Sequence, residues 1–148
     1  MKKIELHRLF ILFSIVFPFV SFAEQNPLTL TVLAEGAKAN TGLAIASVFS
    51  SADNYLRQPI LKKIMPINDR GCVRFIFNEI KAGKYAVSIV YDEDGDGELN
   101  TGLFGIPSEL VGFSNNAKGI FGPPSFQKAS FKFPESETIS IILSQAKE

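Results

Sequence analysis

Apolar and polar side chains alternate along most of this chain, and that period of two constrains its fold more than any other feature. From Leu28 to Glu35, Leu28, Leu30, Val32 and Ala34 stand on one side and Thr29, Thr31 and Leu33 on the other. Successive side chains of a strand point to opposite faces, so such a run suits a strand with one buried face. Leu43 to Ser50 is a second apolar run, and Val73–Phe77, Tyr85–Tyr91, Ala129–Phe133 and Thr138–Leu143 follow. Lys81-Ala82-Gly83-Lys84 reads as the turn between the two central runs. In residues 52–71, Pro59 and Pro66 bracket Ile60-Leu61-Lys62-Lys63-Ile64-Met65. Proline confines a strand to a sheet edge, and two lysines guard such an edge from aggregation. An edge strand is therefore expected here, with room for a one-turn helix at Asn54–Gln58. No long helix and no internal repeat is visible. The expected fold is all-β, a single antiparallel sandwich of about seven strands.

The first residues stand outside this pattern. Lys2, Lys3 and Arg8 precede an almost wholly apolar stretch from Leu9 to Phe22, and Ser21-Phe22-Ala23 offers small residues around a cleavage point. The segment reads as a signal peptide, residues 1–23, leaving one domain over 24–148 in the periplasm or secreted. An uncleaved anchor would need roughly 20 apolar residues, and Pro18 breaks this shorter stretch. No membrane span is expected after cleavage. Cleavage also removes His7, the one histidine of the chain. Histidine triads, histidine bases and the usual zinc or copper sites are thereby excluded. Cys72 is the single cysteine, so no intramolecular disulfide forms, and its place at the head of an alternating run suggests a buried structural thiol. The formal net charge is +0, without the clustered basic face that nucleic-acid binding requires.

The segment 92–125 shows no convincing strand, and a structureless loop of that length in a compact domain is usually functional or disordered. Phe104, Ile106, Phe113, Ile120 and Phe121 can pack it onto the sandwich, but an ordered loop needs a fastener. Its start, Asp92-Glu93-Asp94-Gly95-Asp96-Gly97-Glu98-Leu99-Asn100, crowds acids that repel unless water or a hard cation screens them. Asp92, Asp94 and Asp96 match the first, third and fifth ligands of an EF-hand loop. Gly97 supplies the sixth-position turn, Glu98 a backbone carbonyl and Asn100 the ninth position. The twelfth position is Leu103 rather than glutamate, and the flanks are not helical. This is therefore a non-EF-hand loop for one calcium ion. The missing ligand comes from Glu109, from a backbone carbonyl, or from Glu93 or Glu98 turned inward. Magnesium suits the site less, because it demands tight octahedral geometry. The competing reading is an acidic, solvated turn whose Asp-Gly steps serve geometry alone.

Several motifs carry a resemblance to a known family. These are Gly83-Lys84-Tyr85-Ala86-Val87, the aspartate-rich loop, Gly105-Ile106-Pro107-Ser108-Glu109, Gly112-Phe113-Ser114-Asn115-Asn116, and Gly122-Pro123-Pro124-Ser125-Phe126 with Ala129. Together they resemble domain of unknown function twenty-one forty-one, a family of exported bacterial proteins. The resemblance implies export and an immunoglobulin-like or prealbumin-like sandwich, and no activity. The family pattern often has asparagine where this chain has Asp94 and Asp96, aspartate where it has Asn100, and histidine where it has Tyr91. The extra acids strengthen the metal reading for this chain.

Other constellations are weaker. Ser125-Phe126-Gln127-Lys128 fits Ser-x-x-Lys, but the companion motifs of penicillin-interacting enzymes are missing. Glu109 with a loop aspartate could form a glycosidase carboxylate pair. Tyr55, Phe104, Phe113 or Phe121, if exposed, could stack on sugar rings. The expected role is a monomeric, noncatalytic binding or structural module that meets a protein or glycan of the cell envelope. The alternatives are a carbohydrate-binding module or an envelope glycan hydrolase.

Overall fold

A computed structural model describes residues 28–97, 100–101 and 108–145. The expected signal peptide, Glu98, Leu103, Phe104 and Ile106 lie outside these residues. The strands, in chain order, are β1 (Leu28–Glu35), β2 (Leu43–Phe49), β3 (Leu61–Pro66), β4 (Cys72–Ile80) and β5 (Gly83–Asp92). They continue with β6 (Leu110–Phe113), β7 (Phe131–Phe133), β8 (Thr138–Ile142) and β9 (Ser144–Gln145). A 3-10 turn, Ser114–Asn116, follows β6, and a short helix, α1 (Phe126–Ala129), precedes β7.

The strands form two sheets, β4-β1-β8 and β3-β2-β5-β6-β9, with β7 also paired to β5. The all-β sandwich expected from alternation is present. Most pairings are antiparallel, but β8 runs parallel to β1, Thr31 facing Thr138 and Glu35 facing Ile142. Between the sheets lie Leu30, Val32 and Ala34 of β1, Ala46 and Val48 of β2, and Phe75 and Phe77 of β4. Val87, Ile89 and Tyr91 of β5 join them. The intervening side chains of β2 and β5 face the opposite way. Phe49 and Ala86 there build a second cluster with Tyr55, Phe126 and Ala129. Burying a large apolar side chain contributes about 1.5–3 kcal/mol, so both clusters weigh heavily in holding the fold.

The edge strand read between the prolines is β3, outermost in its sheet. The Lys63 ammonium donates to the Ile76 carbonyl of β4 and lies over the Phe77 ring. The charge that blunts the edge thus also ties together the two sheets' outer strands.

Three expectations need correction. First, β6 lies inside the supposedly strandless segment. Gly112 weakens the sequence signal, yet a Cβ there would collide with the Ile141 side chain, so close packing requires the glycine. Second, the run from Ala129 to Phe133 divides into the end of α1 and the three residues of β7. Third, Cys72 is only half-buried, because it opens β4 at the sheet end, with its thiol beside the Arg70 carbonyl at 3.5 Å.

The ladder along β5 has a gap. Its first residues pair with β7 (Tyr85 with Phe131) and its later ones with β6 (Ser88 with Phe113). Val87 lies between, and the fully buried Ser114 stands in for the missing strand. Its hydroxyl accepts from the Val87 N–H at 2.8 Å and donates toward the Ala129 carbonyl at 2.5 Å. Asn115 Nδ2 donates to the carbonyls of Lys128 and Ser130, while Asn116 Oδ1 accepts the Ile142 N–H. Ser-Asn-Asn therefore clamps β5, the α1–β7 segment and β8 together. An unsatisfied buried N–H costs about 1–3 kcal/mol. Ser114→Ala should lower the stability of the fold by that amount, read as a reduced denaturant midpoint with an unchanged m-value.

Candidate metal centre

The acidic loop starts where β5 ends. Asp92 faces Leu43 across the ladder. Before it, Gly42 has φ +70°, and a Cβ there would collide with the Asp92 carbonyl oxygen. Glycine therefore lets the β2 entry pass directly beneath the loop. The Asp92 side chain is completely buried. Its Oδ1 accepts the Gly95 N–H at 2.7 Å and its Oδ2 the Gly97 N–H at 2.9 Å. Both glycines have positive φ, 79° and 82°, which lets their amides turn inward toward one carboxylate.

Asp94 and Asp96 are exposed, and one carboxylate oxygen from each of Asp92, Asp94 and Asp96 lies within 4.8 Å of the others. That spacing lets one cation touch all three. Asp94 Oδ1 accepts the Asp96 N–H at 3.4 Å, and its Oδ2 accepts from Asn100 Nδ2 at 3.2 Å. Asn100, the expected ninth-position residue, is thus drawn to the cluster through Asp94.

Glu109 does something the sequence did not reveal. Its Oε1 accepts the Glu93 N–H at 3.2 Å and its Oε2 the Asn100 N–H at 3.0 Å. One buried carboxylate therefore pins both ends of the acidic loop. Ser108 adds two bonds to the Asn100 carbonyl, at 2.9 Å from its N–H and 3.0 Å from its hydroxyl. Among the described residues, the three-carboxylate cluster does not include Glu109. Locally the sequence offers only Ser108 as a sign of these braces, a residue type whose side chain readily bonds to backbone groups.

Asp92 carries the distinctive electrostatics. Burial pushes its carboxyl up, but the inward amides of Gly97 and Gly95 outweigh this and hold it below the ordinary carboxylate range. Nearby, Tyr91 is raised, first by burial and then by the Glu93 charge. Of the aromatics proposed for sugar stacking, Tyr55 is buried and Phe113 half-buried, whereas Phe121 is 99% exposed.

A family model described as uncharacterised protein conserved in bacteria (DUF2141) matches residues 32–141. The chain belongs to that family. Searches of curated proteins and of solved structures return no match. The DUF2141 match extends from β1 into β8, so it includes the aspartate loop, Glu109 and the Ser-Asn-Asn clamp. Among the described residues, no helix is long and apolar enough to cross a membrane.

The depressed Asp92 carboxyl fixes the sign of a pH effect. Its stabilising contribution is complete above the unfolded carboxylate value of about 3.9. It is lost as pH falls through the lower folded value. Asp92→Asn should therefore be less stable than the parent at neutral pH, and the gap should narrow as urea midpoints are followed to pH 3. A constant gap across that range would mean the charge contributes nothing.

Proposed function

We propose that the chain is an exported, noncatalytic binding or structural module whose acidic loop is stabilised by one calcium ion. The observation that carries this reading is the convergence of Asp92, Asp94 and Asp96 within 4.8 Å. Calcium takes six to eight oxygens at about 2.3–2.6 Å in flexible geometry, which suits a loop with two exposed carboxylates, nearby Asn100 and access for water. The Asp92 oxygens accept the Gly95 and Gly97 amides, within the four or so lone-pair sites that a carboxylate offers. Extracellular modules of this kind bind calcium at about 10⁻⁴–10⁻³ M. Tethering Glu109 to two amides favours a bracing role over that of a hydrolytic acid or a direct ligand.

Binding to the folded form would stabilise it by about 1–3 kcal/mol when calcium exceeds its dissociation constant ten- to a hundredfold. Thermal unfolding in calcium, magnesium and chelator tests this. The protein should melt several degrees higher in calcium alone. Asp94→Ala and Asp96→Ala should erase that rise while barely moving the melting point in chelator. Asp92→Ala should lose stability in both buffers, because its carboxylate also satisfies two loop amides. No calcium-selective rise, or equal losses in both buffers for the two exposed aspartates, would reduce the cluster to a solvated turn.

The exposed Phe121 favours a second reading, contact with an envelope glycan. Retention on a polysaccharide column, lost on Phe121→Ala with the melting point unchanged, would support it; equal retention of parent and variant would refute it.

A further inference from the structure

The outer edge of β3 joins two features that ordinarily exclude each other, an open backbone and apolar side chains. Its backbone pairs with β2 along one side, and among the described residues no strand lies on the other. Alternate N–H and C=O groups of such an edge face outward, ready to pair with a further strand. An edge that needed only protection would carry polar side chains. Instead Ile60 is 46% and Ile64 50% exposed, and Leu61 and Met65 are exposed too. Large apolar side chains gathered on one exposed strand mark a contact surface. Their register puts them on both faces of the sheet. Leu61 and Met65 pair with Val48 and Ala44, on the side of the core, whereas Ile64 pairs with Ile45 on the other. A strand laid against β3 would meet apolar side chains on both of its faces.

Charge decides which strand fits. From Asn54 to Asn68 the chain holds Arg57, Lys62 and Lys63 and no acid. Among the described residues the ion pairs lie elsewhere, at Lys38–Glu93 and Lys132–Glu135. Lys63 gives one proton to the Ile76 carbonyl, and an ammonium has three to give. Lys62 pairs with Ser47 and faces the other side of the sheet. A second copy of β3 is a poor occupant. Aligning the strand with itself over its whole length sets Lys63 of one copy diagonal to Lys62 of the other, within reach of repulsion. The lysines thus turn away copies of this edge and favour an acidic strand. We propose that β3 takes up one extended segment of a partner protein by antiparallel strand addition. Acidic side chains of that segment stand opposite Lys62 and Lys63, and apolar ones opposite Leu61, Ile64 and Met65. Main-chain bonds hold the segment, and side chains select it. Pro66, which has no N–H, ends the usable edge. No residue of the acidic loop takes part, so the inference rests neither on the calcium reading nor on glycan contact at Phe121.

Backbone amide NMR of the purified protein in chelator tests this, with the end-blocked peptide Thr-Val-Ile-Glu-Glu-Val-Thr as probe. In antiparallel pairing its two glutamates fall opposite Lys63 and Lys62, and its apolar residues opposite Met65, Ile64 and Leu61. One control peptide has lysine in place of both glutamates, and another is N-methylated at every amide. At millimolar concentration the glutamate peptide should give saturable shifts centred on β3 and slow the exchange of alternate β3 amides. Neither control should bind. Lys62→Glu should weaken binding of the glutamate peptide about fivefold while melting as the parent does. No saturable shift from the glutamate peptide, or shifts centred away from β3, would overturn the proposal. Equal binding of either control would do so too, by showing contact without charge selection or without backbone pairing. Unchanged affinity in Lys62→Glu would also overturn it.

Discussion

Backbone amides that no neighbouring strand reaches must find partners elsewhere, and the structure meets that demand with side chains. A buried, unpaired N–H costs about as much as one or two good apolar contacts provide. Ser114 completes β5 at Val87, where β6 and β7 leave a gap. Asp92 gathers the amides of Gly95 and Gly97. Glu109 collects those of Glu93 and Asn100. Asn116 accepts the Ile142 N–H from the opposite sheet. Remove these few acceptors and the sandwich core would persist, but the segments joining it would lose their fixed course.

This arrangement gives the acidic loop two distinct layers. The inner layer is the buried Asp92 carboxylate and the Glu109 brace, both engaged with backbone. The outer layer is Asp94 and Asp96, exposed and close enough to share an ion with Asp92. The inner bonds draw the chain into a curve that brings the outer carboxylates together, a crowding of like charge that surface chains normally avoid. Such preorganisation lowers the entropic cost of taking up a cation. It also explains how three acidic side chains can converge at the end of β5 without the helices that flank an EF-hand.

The strands with strict alternation were legible from the sequence because one burial face per strand leaves a direct imprint. Leu30, Val32 and Ala34 are all buried as their spacing implies, and the proline-bracketed lysine strand is the sheet edge. The three aspartates were legible as a group because their alternation survives in any extended turn. What escaped notice depended on contacts distant in sequence. β6 is four residues long and contains a glycine whose purpose is visible only against Ile141. Glu109 looked like a ligand because nothing local shows that amides at positions 93 and 100 reach its two oxygens. The Ser-Asn-Asn clamp spans from β5 to β8, and no local periodicity records such a span.

The parallel pairing of β8 with β1 bears on the order in which the chain can assemble. β1 lies in the middle of its sheet, flanked by β4 on one side and by β8 on the other. One neighbour arrives with the middle of the chain, whereas the other arrives only with Thr138–Ile142. A polypeptide emerging from its N-terminal end therefore holds its first strand with one flank open until almost the last residue is present. Contacts of such long sequence separation slow folding. The domain thus stays unfinished until Ile142 has been added, and in the meantime the open flank of β1 is an edge on which another chain can pair.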